Sequence, residues 1–128
     1  RRAEVLQNSI HRCREWSLRC ENAPEKMPEL LEKVEAMMRK EGAAVLKEMD
    51  DGSDLDATLM RFHLPLSFDK DSSLDHVVWA QVAQRISRSE DALCRWEVVS
   101  NDKAECDRLN GLIRSLTDEY VAKGYARY

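Results

Sequence analysis

The sequence is poor in residues that interrupt helices and in aromatic side chains, with three prolines, four glycines and 6% aromatic residues in 128. It also lacks any uncharged apolar run close to the roughly 20 residues that a membrane-spanning helix needs. With a net charge of −4, it has no strongly basic stripe of the kind that neutralises phosphates. These absences predict no membrane span and no nucleic-acid partner. Hydrophobic residues at 43% and charged residues at 34% instead indicate a soluble globular domain.

No secretory signal is visible at the start of the chain, which begins at Arg1. Because the first residue is not a methionine, we read the chain as a fragment or a processed mature form. An intracellular location is expected, in the first place cytoplasmic. An organellar matrix is the alternative if a targeting segment has been removed.

Apolar residues recur at three- and four-residue spacings along most of the chain, which is the pattern of an amphipathic helix. No alternating strand pattern of useful length stands out. The predicted fold class is therefore all-α, with helices over more than two thirds of the residues. We expect one domain spanning residues 1–128, a bundle of about four long amphipathic helices plus one short helix, with coiled-coil-like packing. The predicted helices cover residues 3–21, 25–49, 54–64, 73–99 and 102–123.

Prolines and glycines supply the predicted helix ends. Pro24 ends the first helix and Pro65 ends the short one, because proline cannot continue a helix. Gly124 ends the last helix. Gly42 and Gly111 are interpreted as interior glycines that weaken a helix without breaking it. Residues 100–102 are read as a turn between two antiparallel helices.

The clusters that could carry chemistry do not fit known site spacings. The acidic residues at 50–56 and 69–73 lack the glycine and glutamate positions of a calcium loop. His11 and Cys13 diverge by about 200° on a helix and cannot share a zinc ion. The three histidines, His11, His63 and His76, fall on three different predicted elements. We therefore predict no catalytic, cofactor-binding or metal site, and no enzymatic activity.

The four cysteines are predicted to be reduced. Cys13 and Cys20 are two helical turns apart, about 10 Å, which is too far for a disulfide. A bridge from either of them to Cys94 or Cys106 stays open. Half-buried thiols acting as small apolar residues are preferred.

Partner binding is predicted for the N-terminal helix through Arg12, Trp16 and Arg19. Tryptophan and arginine are enriched at the centres of protein interfaces, and the two arginines flank Trp16 at helical spacing. The alternative is that Trp16 lies across a neighbouring helix with the arginines covering its edges. On the interface reading, Trp16→Ala weakens partner binding by about 2 kcal/mol and leaves the melting temperature nearly unchanged.

One stretch resembles a known family. The run from Leu30 to Leu59, which contains Leu-Leu-Glu-Lys-Val-Glu-Ala before an acidic turn, resembles the central V-shaped helical domain of Bro1-type endosomal adaptors. The run through Ile86, Leu93 and Asn101 is similar to it too. The resemblance covers roughly half of the chain. It implies an adaptor that binds short peptide motifs in a groove between helices.

The functional prediction is a non-enzymatic helical protein-interaction domain, either a scaffold or an accessory subunit of a larger assembly. A peptide-motif adaptor with an inter-helical groove is the alternative. A cofactor-binding or enzymatic helical bundle is the third interpretation. A protein partner is expected, and homo-oligomerisation is left open.

Overall fold

The computed structural model describes residues 12–49, 57–68, 77–87 and 92–128, and only the backbone at residues 12, 13, 47–49, 57–68, 77 and 78. In chain order the described elements are β1 (Arg12–Arg19), α1 (Lys26–Lys40), β2 (Ala44–Met49), β3 (Ala57–Phe68), β4 (Val77–Ser87), β5 (Leu93–Ser100) and α2 (Lys103–Ala122).

The five strands form one sheet in the order β1-β5-β4-β3-β2. Every neighbouring pair is antiparallel. The first strand, β1, forms one edge of the sheet, and β2 forms the other. The last strand, β5, pairs with β1, and α2 follows β5 in the chain.

The predicted all-α bundle is wrong, because the protein combines an antiparallel sheet with two described helices. The predicted coiled-coil packing is therefore wrong, and so is the prediction of helices over more than two thirds of the residues. The predicted helix 73–99 contains β4 and all of β5 except Ser100, and the predicted helix 54–64 lies largely in β3. Of the predicted helix 3–21, residues 12–19 form β1, while its first part lies outside the described residues.

Strand β4 shows why the helical reading failed. Its buried side chains are those of Ala80, Val82, Gln84 and Ile86, whereas Arg85 between them is exposed. This is the two-residue alternation of a strand with one covered face. Val82 and Ile86 are four residues apart, a spacing that fits both one helical turn and two strand periods. The pattern of large apolar residues alone could not separate the two.

Helix α2 agrees with the predicted span to within one residue at each end. Its N-cap is Asp102, whose carboxylate accepts a hydrogen bond from the Glu105 backbone N–H at 3.3 Å. Residues 101 and 102 connect β5, which ends at Ser100, to α2, so the predicted turn between two helices is wrong. Gly111 lies inside the helix, as predicted. Gly124 follows the helix with a φ of 78°, the left-handed conformation that favours glycine at a helix end, so this prediction is confirmed.

Helix α1 is shorter than the predicted span 25–49. Gly42 adopts a φ of 88°, and the Ala43 N–H donates to the Met38 carbonyl at 3.0 Å. Together these features make a Schellman helix end. Gly42 is therefore a stop signal and not an interior glycine, and the remainder of the predicted helix forms β2.

Pro65 does not end an element as predicted, because it lies within β3. The pairing of β3 with β4 shifts register between Leu64 and Ser67. A bulge of this kind is one of the places where a sheet tolerates proline, which has no N–H to donate.

The core lies between one face of the sheet and the two helices. Trp96 of β5 is fully buried there, and its indole N–H donates to the side-chain oxygen of Gln84 at 2.8 Å. The Cys106 thiol on α2 lies 3.6 Å from the Val98 carbonyl. Neither described helix is long and apolar enough to cross a membrane. The core includes Leu18, Leu30, Val34, Met38, Val82, Trp96, Val98, Leu109, Ile113 and Tyr120.

Candidate interaction edge

The three residues predicted to contact a partner all lie on the edge strand β1. Arg12 begins the strand opposite Ser100, Trp16 pairs with Trp96, and Arg19 ends it. The predicted helical arrangement, with both arginines flanking Trp16, does not hold. Because side chains alternate along a strand, Arg19 is on the opposite face of the sheet from Trp16. The side chain of Arg12 lies outside the described part of the chain.

Trp16 is half-buried and joins the sheet to α2. Its ring stacks on that of Trp96, with centroids 4.6 Å apart and planes at 27°. Its indole N–H donates to the Asn110 side-chain oxygen at 2.8 Å. The Arg114 guanidinium lies 4.9 Å from the centre of the ring. Trp16 is thus fixed from three directions.

Tyr128 completes an aromatic cluster at this edge, which we define as Trp16, Trp96 and Tyr128 with Arg114. The Tyr128 ring meets Trp16 edge-on at 6.1 Å, and the Arg114 guanidinium lies 4.2 Å from its centre. Its hydroxyl shares a hydrogen bond with Thr117 at 2.8 Å and donates to Asp118. Tyr128 is 43% exposed, so the cluster has a solvent-accessible side beside the strand.

The outer backbone edge of β1 is used at one end. The Arg19 N–H donates to the Arg127 carbonyl and the Arg127 N–H donates to the Arg19 carbonyl, both at 2.8 Å. In a strand, the backbone groups of alternate residues point to opposite edges. Those of Ser17 and Glu15 therefore point outward like those of Arg19. No backbone group of the described residues pairs with them.

An ion pair and an aromatic contact hold residues 125–128, the segment that pairs with Arg19. The Arg127 guanidinium donates two hydrogen bonds to the Glu21 carboxylate. Tyr125 packs edge-on against Tyr120 at 5.9 Å. These contacts secure residues 125–128 beside the last residues of β1. Among the described residues, none forms a backbone hydrogen bond with the outward-pointing groups of Glu15 and Ser17.

Polar side chains lie at the other end of the edge. Arg14 is exposed and forms an ion pair with Asp107 at 3.3 Å. Hydrogen bonds from Lys103 and then from Arg14 lower the pKa of Asp107. Exposed pairs of this kind contribute little stability, because solvent screens them. Arg14 is therefore available to exchange Asp107 for another acidic group.

The remaining chemical candidates do not form a site in the described residues. Cys20, Cys94 and Cys106 are fully buried thiols that form no disulfide, and they are more buried than predicted. No group of three or more histidine, cysteine, aspartate or glutamate residues in the described ranges could hold a metal ion. Both acidic stretches, along with His11 and His76, lie largely or wholly outside those ranges, and so does the side chain of His63.

Sequence reasoning singled out β1 but missed its conformation and its partners Asn110, Arg114 and Tyr128. A signal for the strand was present. Trp16, Leu18 and Cys20 alternate with the polar residues Ser17 and Arg19, which is the period of a half-buried strand. Comparison of the chain with known protein families and with curated proteins finds no match.

Proposed function

We propose that this protein is a non-enzymatic interaction domain, serving as a scaffold or accessory subunit, that binds an extended segment of a partner protein as an additional strand beside β1. The carrying observation is the backbone pairing at Arg19. There the outer edge of β1 already accepts an antiparallel segment through two hydrogen bonds. The next outward-facing positions, Ser17 and Glu15, present the same donor and acceptor groups without a described partner.

Strand addition supplies affinity through the backbone and specificity through alternate side chains. Each new backbone hydrogen bond contributes a net ~1 kcal/mol. On the face that carries the helices, a partner side chain beside Trp16 would meet the exposed side of the aromatic cluster. Aromatic side chains are common anchors at interface centres, and we expect an apolar or aromatic partner residue at that position.

The peptide-adaptor alternative merges with this proposal, since the recognised motif would be the added strand. The edge replaces the inter-helical groove as the place of binding. An unpaired strand edge is also a liability, because it can pair with any exposed strand. In this proposal, the aromatic cluster and Arg14 select one partner strand among those that could pair with the edge.

The first test is amide hydrogen exchange in the isolated protein. The N–H groups of Trp16 and Leu18 point towards β5 and should exchange slowly. The N–H groups of Glu15 and Ser17 point outward and should exchange quickly. Equal protection of both sets would show that the outer edge is already paired, and the proposal would then be wrong.

The second test uses proline at the outward-facing position. Ser17→Pro removes an N–H that the sheet does not use, which an edge strand tolerates. Ser17→Ala is the matched control, because it changes the side chain and keeps the N–H. Both variants should fold. A protein captured from the native source by the wild type and by Ser17→Ala should be lost with Ser17→Pro.

Two results would contradict the proposal. Equal retention of the captured protein by Ser17→Pro would place its binding site elsewhere. Recovery of only a second copy of this chain, lost with Ser17→Pro, would show that the edge serves self-association. A partner that is captured by the wild type and lost with Ser17→Pro should also slow amide exchange at Ser17 and Glu15 when it is added to the wild-type protein.

A further inference from the structure

The face of the sheet opposite the helices carries two neighbouring rows of charge. The first row, which we call the cationic row, crosses the strands through Arg85, Arg95 and Ser17. The second, the acidic row, runs through Glu15 and Glu97 to Ala83, and Arg61 of β3 follows Ala83 in the register. The rows are two residues apart along each strand, about 7 Å.

Like charges lie directly opposite each other within each row. Arg85 pairs with Arg95 across β4 and β5, and Glu97 pairs with Glu15 across β5 and β1. Such pairs destabilise an isolated sheet. In the described part of the chain, Arg95, Glu97 and Glu15 form no ion pair. Three of the four charged side chains are exposed, and Glu97 is half-buried.

The two rows border a shallow depression of about 210 Å³. The small side chain of Ala83 lies in it, beside Glu97, while Arg85 and Arg95 line its other side. Side chains of both charges thus line this recess, glutamates from the acidic row and arginines from the cationic row. Shape and charge are complementary between one half of this face and the other.

We infer that this charged face associates with the same face of a second copy of the chain, in a symmetric dimer. A two-fold axis that crosses the strands between the rows turns the cationic row onto the acidic row of the other copy. Arg95 then faces Glu97 of the second copy, and Glu97 faces its Arg95. Arg85 lies over the recess at Ala83. Each contact occurs twice, as a closed two-fold interface requires.

The dimer should be weak and sensitive to salt. Each copy carries a net charge of −4, so the two copies repel each other at long range. Their attraction depends on local arginine–glutamate pairs, which salt screens. The Debye length falls from about 10 Å at 0.1 M salt to about 3 Å at 1 M. This association uses side chains on the face of the sheet, whereas strand addition uses the backbone edge of β1; Ser17 and Glu15 contribute to both.

Analytical ultracentrifugation of the full chain tests the inference. The wild type should show a concentration-dependent dimer at low salt that dissociates at about 1 M salt. Arg95→Glu and Glu97→Arg should each raise the dissociation constant by about 100-fold or more, because each replaces two attractive contacts with two repulsive ones. Lys40→Glu and Glu32→Arg are the matched controls. They make the same changes in net charge at exposed positions on α1 and should leave the dimer intact.

The decisive sample is an equimolar mixture of Arg95→Glu and Glu97→Arg. Every arginine–glutamate contact is restored between these two variants, so the mixture should dimerise although neither variant does so alone. Far-UV circular dichroism on each variant checks its folding. A wild type that is monomeric under all conditions would overturn the inference. So would a dimer that both reversals leave unchanged, or one that only Ser17→Pro abolishes.

Discussion

Replacement of Trp16 by alanine should destabilise the protein strongly. The sequence predicted a partner-contacting helix around Trp16 and a nearly unchanged melting temperature for this variant. In β1, however, its ring stacks on Trp96, donates a hydrogen bond to Asn110 and lies beneath Arg114. These contacts belong to the folded chain, so their loss should appear in the free energy of unfolding without any partner.

The size of the effect follows from the three contacts. A fully buried tryptophan replaced by alanine costs about 3–5 kcal/mol, so a half-buried one costs about 2. The hydrogen bond to Asn110 adds about 1 kcal/mol, and the contact with Arg114 adds about 0.5 kcal/mol. The total is about 3.5 kcal/mol, which lowers the melting temperature of a domain of this size by about 13 °C.

Urea unfolding followed by far-UV circular dichroism measures this loss. Trp16→Phe is the matched variant: it keeps a stacked ring and should lose only about 1 kcal/mol. A double-mutant cycle with Asn110→Ala isolates the hydrogen bond, with an expected coupling of about 1 kcal/mol. A loss below about 0.5 kcal/mol for Trp16→Ala would match an ordinary surface substitution and refute the placement of Trp16.

Three other predictions concern the core, a helix end and the response to pH. Gln84→Leu should lower the free energy of unfolding by about 1–3 kcal/mol, because it leaves the buried indole N–H of Trp96 without an acceptor; urea unfolding measures it. Gly111→Ala should raise the free energy of unfolding by about 0.5–1 kcal/mol, because the residue is helical and a Cβ added there meets no atom within 4 Å. Gly124→Ala should lower the free energy of unfolding, because the φ of Gly124 is 78°. Burial raises the pKa of Cys94. Its neutral thiol therefore stabilises the fold fully below the unfolded-state pKa of about 8.5, and this contribution falls by about 1.4 kcal/mol per pH unit above it.

Each of these predictions has its own contrary outcome. An unchanged unfolding midpoint in Gln84→Leu would mean that the Trp96 indole finds another acceptor. A Gly124→Ala variant as stable as Gly111→Ala would argue against the left-handed helix end. For Cys94, the wild type should lose more stability than Cys94→Ala between about pH 8.5 and 10. Parallel pH profiles would show that the thiol ionises equally in both states.

Recognition of β1 as the candidate interaction element came from residue types and not from structure. Tryptophan and arginine marked it, and the strand does carry Arg12, Trp16 and Arg19. The proposed mode of partner binding differs from the predicted one. An edge strand offers backbone hydrogen-bonding groups to a partner, whereas a helix pairs these groups internally. Whether Trp16 contributes to partner binding beyond its role in the fold stays a prediction.

The sequence by itself determined the parts of this protein whose causes lie within a few residues. The extent of α2 and its end at Gly124 were predicted correctly. A glycine in the left-handed conformation ends a helix through local hydrogen bonds, so it acts whatever surrounds the helix.

Only the tertiary structure decided the sheet. Trp16 finds its hydrogen-bond partner 94 residues away, and β1 becomes a strand because β5 provides the pairing groups. A spacing of four between Val82 and Ile86 fits a helix and a strand equally well, so local pattern could not choose between them. Long-range pairing made the choice, since a strand satisfies its backbone hydrogen bonds only through neighbours that are distant in the sequence.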